Sequence, residues 1–354
     1  MSEQTLAVIA GDGIGPEVVR EALKVLRAVD AVHRTGIVVE MLPYGADHYL
    51  KTGETLPAAE MRRLGHDVSA IFVGALGDPR VPGNEHARDI LLGMRFQLDL
   101  YVNERPARLF DARLTPLRDK SPDDIDLVVF RENTEGLYVA IGGTFKQGTA
   151  DEIAIAEELN TRKGVERIIR HAFEWAAAHG KTHVTMADKA NAIAAHQLWR
   201  RVFEEVGREY AGIQRDTRYI DAMAMDLVRT PESFQVIVTG NLFGDILSDL
   251  ASVLAGGLGL APSANRHPGG VTMYEPVHGS APPLAGKDVA NPMAAILTLA
   301  MMLADLGHAG AAARVERTVR AAIAEGVGTP DIGGKMGTTA VGDWIAAAIA
   351  NRRS

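Results

Sequence analysis

The chain has 354 residues, 47% of them hydrophobic and 23% charged, an ordinary composition for a folded soluble protein. Asp and Glu number 45 against 37 Lys and Arg, a formal charge of −8, which argues against a general nucleic-acid backbone binder but leaves room for local clusters of arginine. There is no cysteine, which excludes disulfides, thiolate metal sites and cysteine nucleophiles.

At this length one packed core is near its practical limit, so two domains or lobes are expected. Short β-rich runs alternate with helical stretches, the pattern of an α/β architecture. Residues 6–10 read as a strand, followed by Gly11-Asp12-Gly13-Ile14-Gly15-Pro16 and a helix from Pro16 to about Ala31. The glycines sit where a dinucleotide fingerprint would, but its sixth position is Pro16 where a Rossmann turn needs Gly or Ala. No Gly-Lys-Ser/Thr follows, so a phosphate-binding loop and a kinase are disfavoured. The run reads as a tight strand-to-helix turn with proline at the helix start, near the cofactor. Further strands are expected at 71–73, 127–130, 182–185 and 236–239, and helices at 165–179 and 202–210. Residues 256–292 are rich in Gly, Pro, His and Asn and read as mostly loop, the kind of segment that binds ligands. The apolar run 294–303 is too short to span a bilayer and reads as a buried helix. The opening MSEQTLAVIAGDGIGPE lacks a basic region followed by a cleavable apolar stretch, so a cytoplasmic enzyme without membrane contact is expected.

Several residues carry candidate chemistry. In Asn241-Leu-Phe-Gly-Asp245-Ile-Leu-Ser-Asp249, two aspartates four apart share one helix face and can reach one point. Oxygen donors of this kind suit Mg²⁺ or Mn²⁺; a solvated helix face is the alternative for these two residues alone. Asp221 can add a third carboxylate, although alone it reads better as a turn or helix cap. Lys189, at the end of a strand, suits proton transfer if partly desolvated, against the commoner role of a surface charge. Arg95, Arg105 and Arg131 offer planar, permanent charge for a dicarboxylate, though any one of them is more often a surface ion-pair former. Tyr138 can donate a proton; a lone tyrosine is more often a packing residue.

Taken together, these segments resemble the β-decarboxylating dehydrogenases: isopropylmalate, isocitrate, homoisocitrate, tartrate and D-malate dehydrogenases. The ordered matches run from Gly11-Asp-Gly-Ile-Gly-Pro-Glu through 95–106, Arg131-Glu-Asn-Thr-Glu-Gly-Leu-Tyr138, Asp188-Lys-Ala-Asn191 and Asp221-Ala-Met-Ala-Met. They continue with 241–249, Glu275-Pro-Val-His-Gly-Ser-Ala-Pro282, Ala290-Asn-Pro and Thr329-Pro-Asp-Ile-Gly-Gly. The resemblance implies a two-lobed α/β subunit distinct from the Rossmann fold, with mixed sheets flanked by helices. Residues 1–104 and 258–354 would form the first lobe and 105–257 the second. It implies a homodimer with shared active sites, clasped by an arm near residues 142–157. Arg95, Arg105 and Arg131 would hold the malate carboxylates, with Leu91 and Leu92 against the substituent. Asp245 and Asp249 would hold the metal, joined by Asp221 and Lys189 of the neighbouring subunit, Asp221 also facing substrate. Glu275, His278, Gly279, Ser280, Ala281 and Asn291 would line the adenosine half of the cofactor, with Asn191 at its nicotinamide end. Lys189 would accept the hydroxyl proton during hydride transfer, and Tyr138 would help protonate the enolate left by decarboxylation.

Two departures from the family pattern bear on specificity. Pro283 stands where NAD-using members carry an aspartate for the ribose hydroxyls, without the Lys-Tyr pair of NADP-using relatives. Thr329-Pro-Asp-Ile-Gly-Gly resembles the NAD branch, so NAD is expected. Leu91 and Leu92 suit an isopropyl group, whereas Arg88 occupies a position usually acidic in isopropylmalate enzymes and suits an anionic substituent. The expected reaction is 3-isopropylmalate to 2-oxoisocaproate, in leucine biosynthesis; isocitrate, homoisocitrate, D-malate, tartrate or another acidic alkylmalate is the alternative. A non-catalytic regulatory subunit is the alternative of a different class, and the presence of Tyr138, Lys189, Asp221, Asp245 and Asp249 argues against it.

Overall fold

A computed structural model describes residues 4–351. The chain forms two compact units. The first takes the residues up to 100, 105–125 and those from 252 onward; the second takes 101–104 and 126–251. These bounds differ from a division at 105 and 258: 105–125 and 252–257 fall in the first unit and 101–104 in the second.

In the first unit, strands Ile37–Leu42, Gln4–Gly11, Ala70–Ala75, Thr272–Tyr274 and Ala264–Arg266 lie side by side in that order. The first four run parallel and the last two pair antiparallel. Both faces of the central strands are buried, which is why they read as unbroken apolar runs rather than alternating ones. Leu6, Val8, Ala70 and Phe72 face a core built with helices Gly15–His33, Met293–Asp305, Ala309–Ala324 and Thr338–Ala350. The intervening Ala7, Ile9, Ile71 and Val73 face the opposite way, onto Met61, Leu64, Ile90 and Met94 of helices Ala58–His66 and Glu85–Gln97. The segment 256–292 is mostly loop, as expected, and also contains the two antiparallel strands. Each is only three residues long, too short for periodicity to register.

The glycine-rich turn leaves the sheet as expected. Strand Gln4–Gly11 ends in Gly11, and the helix Gly15–His33 begins with proline in its first turn. Gly13 has φ +58°, and a Cβ there would lie 2.0 Å from the Ser280 carbonyl oxygen, which also accepts the Ile14 N–H at 2.8 Å. Gly13→Ala is therefore expected to cost about 1–2 kcal/mol for the left-handed backbone and a further ~1–3 kcal/mol for overpacking. Gly36, at φ +66° with open space around it, is the control. Thermal unfolding should show a several-degree larger drop for Gly13→Ala than for Gly36→Ala, and equal drops would refute the contact.

In the second unit, strands Asp126–Glu132, Val236–Thr239, His183–Asp188 and Gln214–Tyr219 lie in that order, all parallel. Val128, Phe130, Val184, Met186, Val236 and Val238 pack against helices Arg162–Ala178 and Gln197–Gly207 through residues such as Ile168, Phe173, Trp199 and Phe203. The second of these helices starts five residues before, and ends three before, the expected 202–210. Helices Ile220–Arg229 and Asn241–Leu254 expose large apolar side chains, among them Met225 and Ile246, 56% and 54% exposed. Strands Gly142–Phe145 and Ile153–Ala156 pair antiparallel in a hairpin whose residues are all exposed, including Phe145, Ile153 and Ile155. Such a ribbon is marginal alone in water.

Candidate active site

In the second unit the site is built around Arg131. It lies within strand Asp126–Glu132 rather than just after it, a correction of one strand boundary. Only 2% of its side chain is exposed, so its charge must be met by the protein. The first turns of helix Asn241–Leu254 meet it. Asn241 Oδ1 accepts from Arg131 Nε at 3.0 Å and Nη2 at 2.8 Å, and Asp245 Oδ1 accepts from Nη1. Between them, a Cβ on Gly244 would fall 2.6 Å from the Arg131 side chain. The spacing Asn241, Gly244, Asp245 is thus one helix face shaped to a guanidinium. Tyr138 donates to Asp245 Oδ2 at 3.3 Å, and the Arg131 guanidinium lies 5.4 Å from the Tyr138 ring centroid. Asn241 Nδ2 donates to the Glu135 carbonyl at 2.8 Å and fixes the loop that carries Tyr138.

Asp249 sits one turn beyond Asp245 and is exposed. Asp221 is in the first turn of helix Ile220–Arg229 and accepts from Lys189 Nζ. The lysine ammonium holds the Asp221 carboxyl below the usual carboxylate range. Among the described residues of one chain, no three His, Asp or Glu converge to hold a metal ion. One chain offers the i, i+4 oxygen pair Asp245 and Asp249, while Asp221 is engaged with Lys189. That donor pair suits a hard divalent cation whose remaining positions are filled by water, substrate oxygens or a carboxylate from outside the chain. Asn191 lies in the exposed turn after Lys189.

In the first unit, Arg95 is on helix Glu85–Gln97, and its Nη2 donates to Glu275 Oε1 at 2.8 Å. Asn265 Nδ2 donates to the same oxygen at 2.8 Å, and the Glu275 carbonyl accepts from Ser263 Oγ at 2.6 Å. Glu275 is the buried counter-charge that orients Arg95, a link across 180 residues that local sequence does not announce. Arg105 is buried on strand Val102–Arg108. Leu91 and Leu92 are half-buried on the Arg95 helix. Arg88 is 61% exposed and lies 3.5 Å from the Asp89 carboxylate.

Residues 278–281 pack on the glycine-rich turn through the Ser280 carbonyl. His278 Nε2 is enclosed without a protein partner, and burial lowers the imidazole pKa. Asn291 Oδ1 accepts the Met293 N–H at 3.0 Å, and its Nδ2 donates to Asp331 Oδ2 at 3.0 Å. Thr329 Oγ1 donates to the other Asp331 oxygen at 2.5 Å. Pro283 is exposed in the turn Pro282–Leu284.

Two polar pairs escaped sequence reasoning. Asp12 accepts from the Ala46 N–H at 2.6 Å and the Gly77 N–H at 2.8 Å, and pairs with His86 Nε2 at 2.7 Å. It thereby ties the glycine-rich turn to the start of the Arg95 helix. His196 pairs with Glu158 at 2.7 Å. Lone histidines and glutamates give no signal in a sequence without their partners.

Comparison with known proteins agrees with this geometry. The pattern of the family described as isocitrate/isopropylmalate dehydrogenase matches residues 5–345. The 3-isopropylmalate dehydrogenase of Thermobifida fusca is 46% identical over 99% of this chain and 100% of its own length. That of Corynebacterium aurimucosum is 48% identical over 97% of this chain and 99% of its own. Among solved structures, isocitrate dehydrogenase from Methylococcus capsulatus superposes with a TM-score of 0.89 at 38% identity, covering 98% of this chain and 100% of that one. A β-decarboxylating dehydrogenase from Thermococcus kodakarensis gives 0.80 at 37% identity, covering 98% and 96%. The two-lobed α/β expectation and the family resemblance both hold, and the chain belongs to the isocitrate/isopropylmalate dehydrogenase family.

Proposed function

We infer that this chain is an NAD-dependent enzyme that oxidatively decarboxylates a 3-substituted malate, 3-isopropylmalate foremost, and so serves leucine biosynthesis. The observation that carries the substrate choice is on helix Glu85–Gln97. Leu91 and Leu92 lie within one turn of Arg95, while Arg88 stays exposed beside Asp89. An apolar wall next to a guanidinium fits an alkyl substituent on a carboxylate-bearing substrate, and burying an isopropyl group is worth about 2 kcal/mol. The two curated relatives named isopropylmalate dehydrogenases support the same choice.

Arg95, Arg105 and Arg131 hold the carboxylates. Asp245 and Asp249, with Asp221 of a second copy, would hold Mg²⁺ or Mn²⁺. When bound, the metal would supply Lewis acidity at the substrate's C2 oxygen, and NAD would be the hydride acceptor. Lys189, after its ammonium has released a proton to water, takes the C2 hydroxyl proton, directly or through water, as the hydride leaves C2. Loss of CO₂ from the resulting β-keto acid leaves an enolate, to which Tyr138 helps return a proton. The enclosed His278 Nε2 and the Gly279, Ser280, Ala281 turn suit the adenosine half of the cofactor, with Asn291 beside it and Asn191 at the nicotinamide end. Pro283 leaves no carboxylate for the ribose at its own position. The exposed apolar hairpin and the helices carrying Met225 and Ile246 favour a homodimer with shared sites.

The test compares kcat/KM for 3-isopropylmalate, isocitrate, homoisocitrate and D-malate with NAD and Mn²⁺, in wild type and Arg88→Ala. Isopropylmalate should lead, and Arg88→Ala should change its kcat/KM less than about threefold, as for an exposed ion pair. A wild-type preference for a tricarboxylate, lost selectively in Arg88→Ala, would overturn the choice. No turnover of any of them would favour a non-catalytic subunit.

A further inference from the structure

We propose that His196, braced by Glu158, is a positioning residue that sets Lys189 for proton transfer. The proposal rests on Lys189 being the proton acceptor of the reaction above.

Strand His183–Asp188 ends one residue before Lys189, and its parallel register with Gln214–Tyr219 stops at Asp188 and Tyr219. The lysine is thus the first residue beyond the ladder, and the sheet register does not extend to its amide. That amide donates instead to His196 Nδ1 at 2.9 Å. Its carbonyl accepts from the Ala192 and Ile193 amides at 2.9 and 2.8 Å. Both backbone polar groups of Lys189 are therefore pinned, leaving its side chain as the movable part.

The acceptor role at Nδ1 fixes the ring proton on Nε2. That N–H points to Glu158 Oε1 at 2.7 Å, and this hydrogen bond holds the Glu158 carboxyl below its ordinary range. His196 is 4% exposed, and the Phe243 ring packs edge-on at 5.6 Å between centroids. The ring can neither turn nor exchange its two nitrogens without breaking both bonds. Glu158 also accepts from Asn160 Nδ2 at 3.0 Å, and Asn160 Oδ1 accepts the Trp199 indole N–H at 2.8 Å.

His196 does not act alone on this segment. Four residues on, Arg200 donates to both oxygens of Asp188, from Nε at 2.7 Å and Nη2 at 3.1 Å. The i and i+4 positions at the start of helix Gln197–Gly207 thus grip consecutive residues, Asp188 by its side chain and Lys189 by its backbone. Glu158 lies two residues past the end of the hairpin strand Ile153–Ala156, so the foot of the hairpin and the seat of the lysine are one hydrogen-bonded network.

The experiment uses the full chain with 3-isopropylmalate, NAD and Mn²⁺. His196→Leu keeps bulk and removes the acceptor, and His196→Asn returns an amide oxygen near the place of Nδ1. A misplaced catalytic group costs up to about 100-fold in rate. His196→Leu should lose kcat on that scale with KM for both substrates within about twofold, and His196→Asn should recover most of kcat. Thermal unfolding reports on the fold, and His196→Ala repeats the test if the leucine variant does not fold. Wild-type kcat in His196→Leu, or no recovery in His196→Asn, overturns the proposal. Lys189→Ala separates the two readings. If it is inactive while His196→Leu is not, only the positioning role fails. If it retains wild-type activity, the assignment of Lys189 as proton acceptor fails instead.

Discussion

Asp245→Asn is expected to abolish turnover, with a loss of about 1,000-fold or more in kcat, the several kcal/mol that a bound metal contributes to stabilising developing charge. Asparagine preserves the shape and an oxygen for Arg131 Nη1, and Arg131 keeps its two bonds to Asn241. What it removes is the negative charge that a hard cation requires. The competing effect is structural, because Asp245 is also the counter-charge of a buried arginine, and breaking such a pair destabilises. Asp245 is itself 36% exposed, so water can compensate part of that loss. Turnover should therefore fall far more than the thermal midpoint. Mn²⁺ titration of the variant should show no saturable activation where wild type does. Full activity of the variant in EDTA would end the metal assignment.

The layout of the chain was legible because its signals are local. Strand Gln4–Gly11 is buried on both faces, so Leu6 to Ala10 form an unbroken apolar run, and proline at the following helix start marks the turn. Asp245 and Asp249 were legible because helical spacing alone puts them on one face. The strands Ala264–Arg266 and Thr272–Tyr274 were not, since three residues do not establish a period. Glu275 shows a different limit. Its place in a family motif gave no sign that its side chain accepts from Arg95, a partner 180 residues away. His196, Glu158, Asp12 and His86 share that limit. Each is a polar residue, buried or half-buried, held by a partner distant in sequence, and nothing in its own neighbourhood distinguishes it from a surface residue. Asn241 and Gly244 lay within a recognised motif, yet their purpose, shaping a helix face to Arg131, emerges only in three dimensions.

Mixing Lys189→Ala subunits with Asp245→Asn subunits, each inactive alone, should restore activity. The Lys189 ammonium is bound to Asp221, and among the described residues of one chain no third His, Asp or Glu gathers with Asp245 and Asp249. In the proposed shared site, the lysine and Asp221 form one half, and Asp245 with Asp249 the other. An isologous pairing would bring each half to the complementary half of a second copy. In a mixed dimer, one site then combines intact Asp245 with intact Lys189, and the other carries both lesions. Random exchange of equal amounts makes half the dimers mixed, each with one working site, so recovery should approach about a quarter of wild-type activity. A site built within one chain gives a different result, since every subunit would carry a lesion in its own site and mixing would restore nothing. Subunit exchange must be shown independently, by mass spectrometry of differently tagged chains. Proven exchange with no recovered activity would establish that Lys189 and Asp245 act within the same chain, and the shared-site reading would be wrong.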